Sequence, residues 1–127
     1  MTLRIGFATF ILTVSIGCGG SSSTTLPSSP SPTPSPSGQT ATVSIVAGAR
    51  TLTTSAYAPN PIDVMAGTTI TWMNNDTIAH DATANDGSWG SGTLAAGAQF
   101  SRVFSTAGTF TYHCTIHPGM VGTVTVR

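Results

Sequence analysis

The sequence predicts an all-β domain in its C-terminal part. Residues 39–127 are rich in Thr, Val, Ile and aromatic residues, which occur in short runs. Gly, Pro, Asn and Asp separate these runs, as they do in the turns between strands. No stretch of useful length has the period of an amphipathic helix. Because many short strands pack as a sandwich or a barrel, we expect one of these two architectures.

Seven segments are predicted to be strands, because they combine β-branched or aromatic residues with alternating apolar positions. In one of them the alternation points Ile70 and Trp72 to the same inward face. Met65 and Met73 also lie in strand patterns, and we expect them to fill the core. The segments are residues 41–47, 62–65, 68–74, 80–84, 99–105, 109–114 and 121–126.

The first residues of the chain have the pattern of a secretory signal. Residues 1–17 begin with Arg4, continue with a short apolar run and end in small residues. The apolar run is shorter than the roughly 20 residues that a membrane-spanning helix needs. The segment Ser15-Ile16-Gly17-Cys18 resembles a bacterial lipobox, although Ser15 stands where Leu is usual. This resemblance implies that Cys18 carries a lipid; ordinary cleavage nearby is the alternative.

The segment that follows is predicted to be a tether. Residues 18–38 comprise Cys18 and a linker made almost wholly of Ser, Pro, Thr and Gly. Such a composition cannot build a core, so we expect disorder or polyproline II structure. The sequence thus predicts a signal peptide (1–17), an anchor and linker (18–38) and a folded domain (39–127). We expect an exported protein, periplasmic or at the cell surface, attached to a membrane through its lipid.

The charge pattern limits the choice of partner. The chain has four Arg and four Asp, with neither Lys nor Glu. Because no basic stripe is present, nucleic acid is not expected as a partner. Recognition of a partner protein would rest on shape and apolar contact more than on long-range charge. The domain is expected to be a monomer.

The two cysteines are not expected to form a disulfide, although disulfides are common in exported proteins. Cys18 lies at the processing site, and Cys114 lies among residue types that bind metals. A lone thiol in an oxidising compartment is a liability unless a metal holds it. This observation favours a metal site at Cys114.

A short segment near the C-terminus concentrates three possible metal ligands. Cys114, His117 and Met120 lie within seven residues, and Pro118-Gly119 favours a tight turn between the last two. His80, far upstream, is the candidate for a fourth ligand. Two imidazoles, a thiolate and a long axial thioether form the blue-copper arrangement. The sequence therefore predicts a copper site.

These residues, together with residues 61–72 and the turn Asn74-Asn75-Asp76, resemble the cupredoxins. This family of small blue copper proteins includes plastocyanin and amicyanin, and the resemblance extends from residue 42 to residue 127. Two residues separate Cys114 from His117, and two separate His117 from Met120. This short ligand loop most closely resembles that of amicyanin. The resemblance implies a Greek-key β-sandwich of about seven to eight strands and one copper ion cycling between Cu(II) and Cu(I). The ligands that it implies are His80, Cys114, His117 and Met120.

The sequence leaves open the roles of several residues near these candidate ligands. Asp81 stands where the family often has Asn, and it could orient the ring of His80 or close a turn. Ile116 stands where Pro is frequent. Strand alternation turns His113 away from Cys114, toward solvent or a supporting role. Trp89 could lie against the copper end or cap the sandwich.

The function that we expect is that of a type 1 copper electron-transfer protein acting with redox partner proteins. Four protein ligands leave no open position for a substrate, so an enzyme is not expected. A copper enzyme with a second metal site would need more histidines, and only His113 is left over. A protein that stores or delivers copper is one alternative. A metal-free β-sandwich used for binding is the other.

Overall fold

The structure is a computed structural model that describes residues 38–127. The predicted signal peptide, Cys18 with its predicted lipid and nearly all of the predicted linker lie outside the described residues. The described part contains eight strands and a short 3₁₀ helix, Ala49–Thr51. Within it, no helix has the length and apolar character needed to cross a membrane. The strands are β1 (Thr40–Ile45), β2 (Tyr57–Ala58), β3 (Ile62–Val64), β4 (Thr68–Asn74), β5 (Thr83–Ala84), β6 (Gln99–Phe104), β7 (Gly108–His113) and β8 (Val121–Val126).

The strands form two four-stranded sheets that enclose one core. The strand order is β2-β1-β4-β6 in the first sheet and β3-β8-β7-β5 in the second. Strand β1 is parallel to β4, and β3 is parallel to β8, whereas the other pairs are antiparallel. Buried apolar side chains from both sheets form a single cluster. The prediction of an all-β sandwich is confirmed.

Strand β4 illustrates how alternation builds this core. Every second residue of the strand is buried, so Ile70 and Trp72 point inward as predicted. The Trp72 ring lies 5.5 Å from the ring of Tyr112 on the opposite sheet and 5.2 Å from that of Trp89. Trp89 is therefore a core residue, a position that neither of the two interpretations of the sequence described.

The two methionines expected in the core do not lie there. Met65 follows β3 in the turn that leads to Gly67, where φ is 91°, and its side chain is 57% exposed. Met73 is only half-buried, because its neighbours Trp72 and Asn74 occupy the inward positions of β4. The prediction was wrong for both residues.

The predicted strand at residues 80–84 is mostly loop. Only Thr83–Ala84 pairs with β7, whereas His80 forms an isolated bridge with Leu94. The sequence also missed β2, whose two residues pair with the end of β1. His80 is thus positioned by a contact between two loops rather than by a strand.

The predicted ligand loop lies between two long neighbouring strands. Strands β7 and β8 pair in register from Gly108 opposite Val126 to His113 opposite Val121. Residues 114–120 connect the His113 and Val121 ends of this hairpin. The hairpin register therefore fixes both ends of the loop at one edge of the sandwich.

Candidate metal centre

The structure brings three of the predicted ligands together at this edge. The sulfur Sγ of Cys114 lies 4.0 Å from Nδ1 of His80 and 3.9 Å from Nδ1 of His117. The two Nδ1 atoms are 3.1 Å apart. Among the described residues, these three side chains form a group that could hold a metal ion.

The dimensions of this triangle fit a metal ion. A point equidistant from the three atoms lies about 2.1 Å from each, because that is the circumscribed radius of a triangle with these sides. Metal bonds to imidazole nitrogen and thiolate sulfur have lengths of about 2.0–2.3 Å, as in zinc sites. A soft thiolate with two imidazoles is a donor set that suits copper. The residues present therefore fit one copper ion.

Met120 lies on the same loop and is fully buried. Its main-chain N–H donates to the carbonyl of His117 at 2.9 Å, and its carbonyl accepts from the N–H of Cys114 at 3.1 Å. These two bonds close the loop around its three candidate ligands. A thioether is the kind of group that blue-copper sites use as their weak axial ligand, so this buried side chain remains the candidate for that role.

The ring of His80 is oriented by Asp76, a contact that the sequence analysis missed. Nε2 of His80 donates to Oδ2 of Asp76 at 2.9 Å, which leaves Nδ1 directed to the other ligands. Main-chain N–H groups of Ala49 and Thr77 also donate to this carboxylate, at 3.1 and 2.7 Å. The hydrogen bond from His80, and to a smaller extent those from main-chain N–H groups, hold the pKa of the Asp76 carboxyl well below its usual range. No signal in the sequence indicated this contact, because it depends on the conformation of the loop between Asp76 and His80.

Asn74 fixes the loops that carry this pair. Its side-chain amide is fully buried, and Nδ2 donates to the carbonyls of Ile78 at 2.8 Å and Leu94 at 2.9 Å. Its Oδ1 accepts from the N–H of Asp76 at 3.0 Å. Leu94 in turn exchanges main-chain hydrogen bonds with His80, at 3.1 and 2.7 Å. His80 is therefore held through its backbone as well as its ring.

Asp81 fastens the ligand loop to the loop segment that carries His80. Its Oδ1 accepts from the N–H of Thr115 at 2.8 Å, and the Thr115 hydroxyl donates to Oδ2. The main-chain N–H of Asp81 donates to Sγ of Cys114 at 3.4 Å, and its carbonyl accepts from the Tyr57 hydroxyl at 2.5 Å. Burial raises the pKa of Tyr57 above its usual range, so the hydroxyl keeps its proton. Of the two roles considered for Asp81, the contacts show neither ring orientation nor simple turn closure.

The two histidine ligands differ in exposure. His80 is completely buried, whereas the ring of His117 is only partly covered. Two exposed apolar residues lie near His117 in the sequence: Ile116, which precedes it and is 45% exposed, and Val121, which follows the loop and is 36% exposed. His113 stays apart from the cluster, and its Nδ1 donates to Oδ1 of Asn85 at 2.7 Å. The site therefore reaches the surface at His117.

Comparisons with known proteins agree with this geometry. Residues 41–127 match the family of copper-binding proteins described as the plastocyanin/azurin family. Plastocyanin from Scenedesmus fuscus is 33% identical over 84 residues, covering 56% of this chain and 86% of the relative. Amicyanin from Paracoccus denitrificans is 34% identical over 76 residues, covering 56% of this chain and 58% of that protein.

Solved structures give the same result. A purple cupredoxin from Nitrosopumilus maritimus superposes with a TM-score of 0.63 at 33% identity, over 68% of this chain and 99% of that one. A copper-containing nitrite reductase from Thermus scotoductus matches over 68% of this chain, with a TM-score of 0.57 at 25% identity. The chain spans only 22% of that enzyme.

Proposed function

The chain belongs to the plastocyanin/azurin family of copper-binding proteins, and we propose that it carries single electrons between partner proteins outside the cytoplasm. It is a type 1 copper protein of the cupredoxin class. The observation that carries this function is the triangle formed by Cys114 Sγ and the Nδ1 atoms of His80 and His117.

A bound copper ion supplies one-electron exchange between Cu(II) and Cu(I). Cys114 would hold it as a thiolate, and its buried sulfur accepts a hydrogen bond from the N–H of Asp81. His80 would bind through Nδ1, because its Nε2–H is occupied by Asp76. Met120, buried on the same loop, would offer its thioether as a further ligand. Hydrogen bonds restrain His80 and the backbone of the ligand loop, so little rearrangement would be needed between oxidation states.

We propose that the chain is an electron carrier rather than an enzyme. Two imidazoles, a thiolate and a thioether fill the site, and a catalytic metal needs an open position for its substrate. The nitrite reductase shares the fold over a small part of its length, so the fold alone does not decide this point. The full set of four candidate protein ligands supports the role of an electron carrier.

Partner proteins are proposed to dock around His117. Its ring is the part of the site nearest solvent, and Ile116 and Val121 expose apolar surface beside it. Electron-transfer contacts are small and short-lived, which suits an apolar patch of limited size. The signal-like and linker-like residues 1–38 support an exported, membrane-tethered location.

Redox cycling of the purified chain tests this function. One equivalent of Cu(II) should produce an intense visible band, a mild reductant should bleach it, and an oxidant should restore it without loss of copper. A protein that stores or delivers copper would instead release the ion to a Cu(I) chelator within one cycle. If the chain did not bind copper at all, the remaining alternative would be a metal-free β-sandwich used for binding.

A further inference from the structure

Two aspartates are buried beside the metal-binding residues. Asp76 is 7% exposed and Asp81 is 4% exposed. An ionised carboxylate is costly to bury unless hydrogen bonds or an opposite charge compensate it. Each of these side chains lies one hydrogen bond from a ligand residue or its loop, so their charge bears on the copper.

Both aspartate side chains form hydrogen bonds in which their carboxylate oxygens are the acceptors. Asp76 accepts from the His80 ring and from two main-chain N–H groups. Asp81 accepts from the N–H and the hydroxyl of Thr115, and more weakly from the hydroxyl of Thr83 at 3.4 Å. A carboxylate that only accepts is matched to its ionised form, because a protonated carboxyl must also donate. Both sites are therefore built for a negative charge.

No arginine of residues 38–127 forms an ion pair with either carboxylate. Arg127 pairs with Asp63 at 3.2 Å. The guanidinium of Arg102 lies 5.5 Å from the ring centroids of Trp89 and Phe104. Arg50 is exposed. Hydrogen bonds, and not a guanidinium, therefore compensate these two carboxylates.

We propose that Asp76 and Asp81 act as positioning residues that also lower the reduction potential of the copper by stabilising Cu(II) over Cu(I). The inference rests on the proposed function, since it concerns the same site. Two buried negative charges favour the more highly charged oxidised ion, and burial limits their screening by solvent and salt. The two act from different sides, Asp76 through the His80 ring and Asp81 through the loop that carries Cys114.

Asp81→Asn removes the charge with little change in geometry. The amide oxygen can accept from the N–H of Thr115, and the amide nitrogen can donate to its hydroxyl. We expect the reduction potential to rise by about 59 mV or more, which is a tenfold or larger change in the ratio of Cu(I) to Cu(II) affinity. Competition titrations that measure the affinities for Cu(I) and for Cu(II) should give the same change in this ratio.

Asp76 requires two variants, because Asn offers one acceptor oxygen where several donors converge. Asp76→Asn should raise the potential and also weaken Cu(II) binding, since the His80 ring loses its partner. Asp76→Glu keeps the charge and should keep the potential closer to that of the wild-type chain. Asp63→Asn is the matched control: Asp63 is exposed and pairs with Arg127 beyond the far end of β8. It should leave the potential unchanged.

The outcomes separate this inference from the proposed function. A wild-type chain that binds Cu(II) without the intense visible band overturns both. If the band is present in every variant but Asp81→Asn and Asp76→Asn keep the wild-type potential, only the charge effect is refuted. Equal shifts in these variants and in Asp63→Asn would also refute it, because the effect would then be one of net charge alone. Raised potentials in the two buried variants, unchanged between low and high salt, support it.

Discussion

The ring of Tyr112 lies directly against the backbone of Gly122, its partner in the β7–β8 ladder. A Cβ atom at position 122 would come within 2.2 Å of Cζ of Tyr112. Tyr112 is fully buried, and its ring lies 4.8 Å from that of Tyr57 and 5.5 Å from that of Trp72. It therefore has no room to move, and the absence of a side chain at Gly122 lets the hairpin that carries the ligand loop form.

Gly122→Ala is expected to destabilise the domain. The added methyl group must displace a packed ring, and overpacking of this kind costs about 1–3 kcal/mol in the free energy of unfolding. Denaturant titration of the copper-free chain measures the effect. Gly119→Ala is the control, because a Cβ there meets no atom within 4 Å. Equal stabilities of the two variants would contradict the packing account.

Met120→Gln is expected to lower the reduction potential without loss of copper. A thioether is soft and favours Cu(I), whereas the amide oxygen of Gln is harder and favours Cu(II). Voltammetry of the copper-loaded variant gives the potential. Met65→Gln, at a side chain that is 57% exposed, should match the wild-type value. A raised potential, or a variant that no longer retains copper, would remove Met120 from the axial position.

Neither tyrosine of the chain should ionise at moderately alkaline pH. Burial raises the pKa of Tyr112 to about 12 and that of Tyr57 above its usual range. Since free tyrosine titrates near ~10, an ultraviolet titration of the folded protein should show no tyrosinate between ~pH 9 and ~pH 11. The chain has only these two tyrosines, and in urea both should titrate normally.

The same shifts give the direction of a stability change. The folded-state pKa values are raised, so the stability from the buried phenols is complete below ~pH 10 and is lost as the pH rises toward about 12. Unfolding measured across this window should become easier with pH. Tyrosinate signal in the folded protein at ~pH 10 would show that the phenols are not buried.

Ile116→Lys should slow electron exchange between two copies of the protein. Exchange through His117 requires the surfaces around both rings to meet, and like charges placed there repel. Line broadening in NMR spectra of mixed oxidised and reduced protein gives the rate. Val103→Lys adds the same charge at another exposed apolar residue, on β6, and should have a smaller effect. Similar slowing by both substitutions would exclude docking at His117.

The sequence predicted the sandwich and the group of ligand residues well, because both depend on local patterns. Strict alternation placed Ile70 and Trp72 inward, and the short spacing from Cys114 to Met120 required one compact loop. Predictions failed where position depended on distant contacts. Met65 follows a pattern of strand residues, yet it lies in a turn past the end of its strand and is exposed.

The supporting contacts of the site were the hardest to predict. Asp76 reads as a turn residue, and its bond to His80 requires a loop conformation fixed by Asn74. Asp81 differs from the amide usual in the family, yet its carboxylate still ties Thr115 to the sandwich. Side-chain geometry across two loops decides both roles, and neither spacing nor residue type reports it.

The visible and EPR spectra of the Cu(II)-loaded chain, compared with those of Cys114→Ser, test the central claim most directly. Ligation by the Cys114 thiolate should give an intense visible band in the wild-type chain. The Ser variant should lose this band, because a hydroxyl is a harder and poorly ionised ligand. A Cys114→Ser protein that keeps the band, or a wild-type chain that binds Cu(II) without it, would contradict the account.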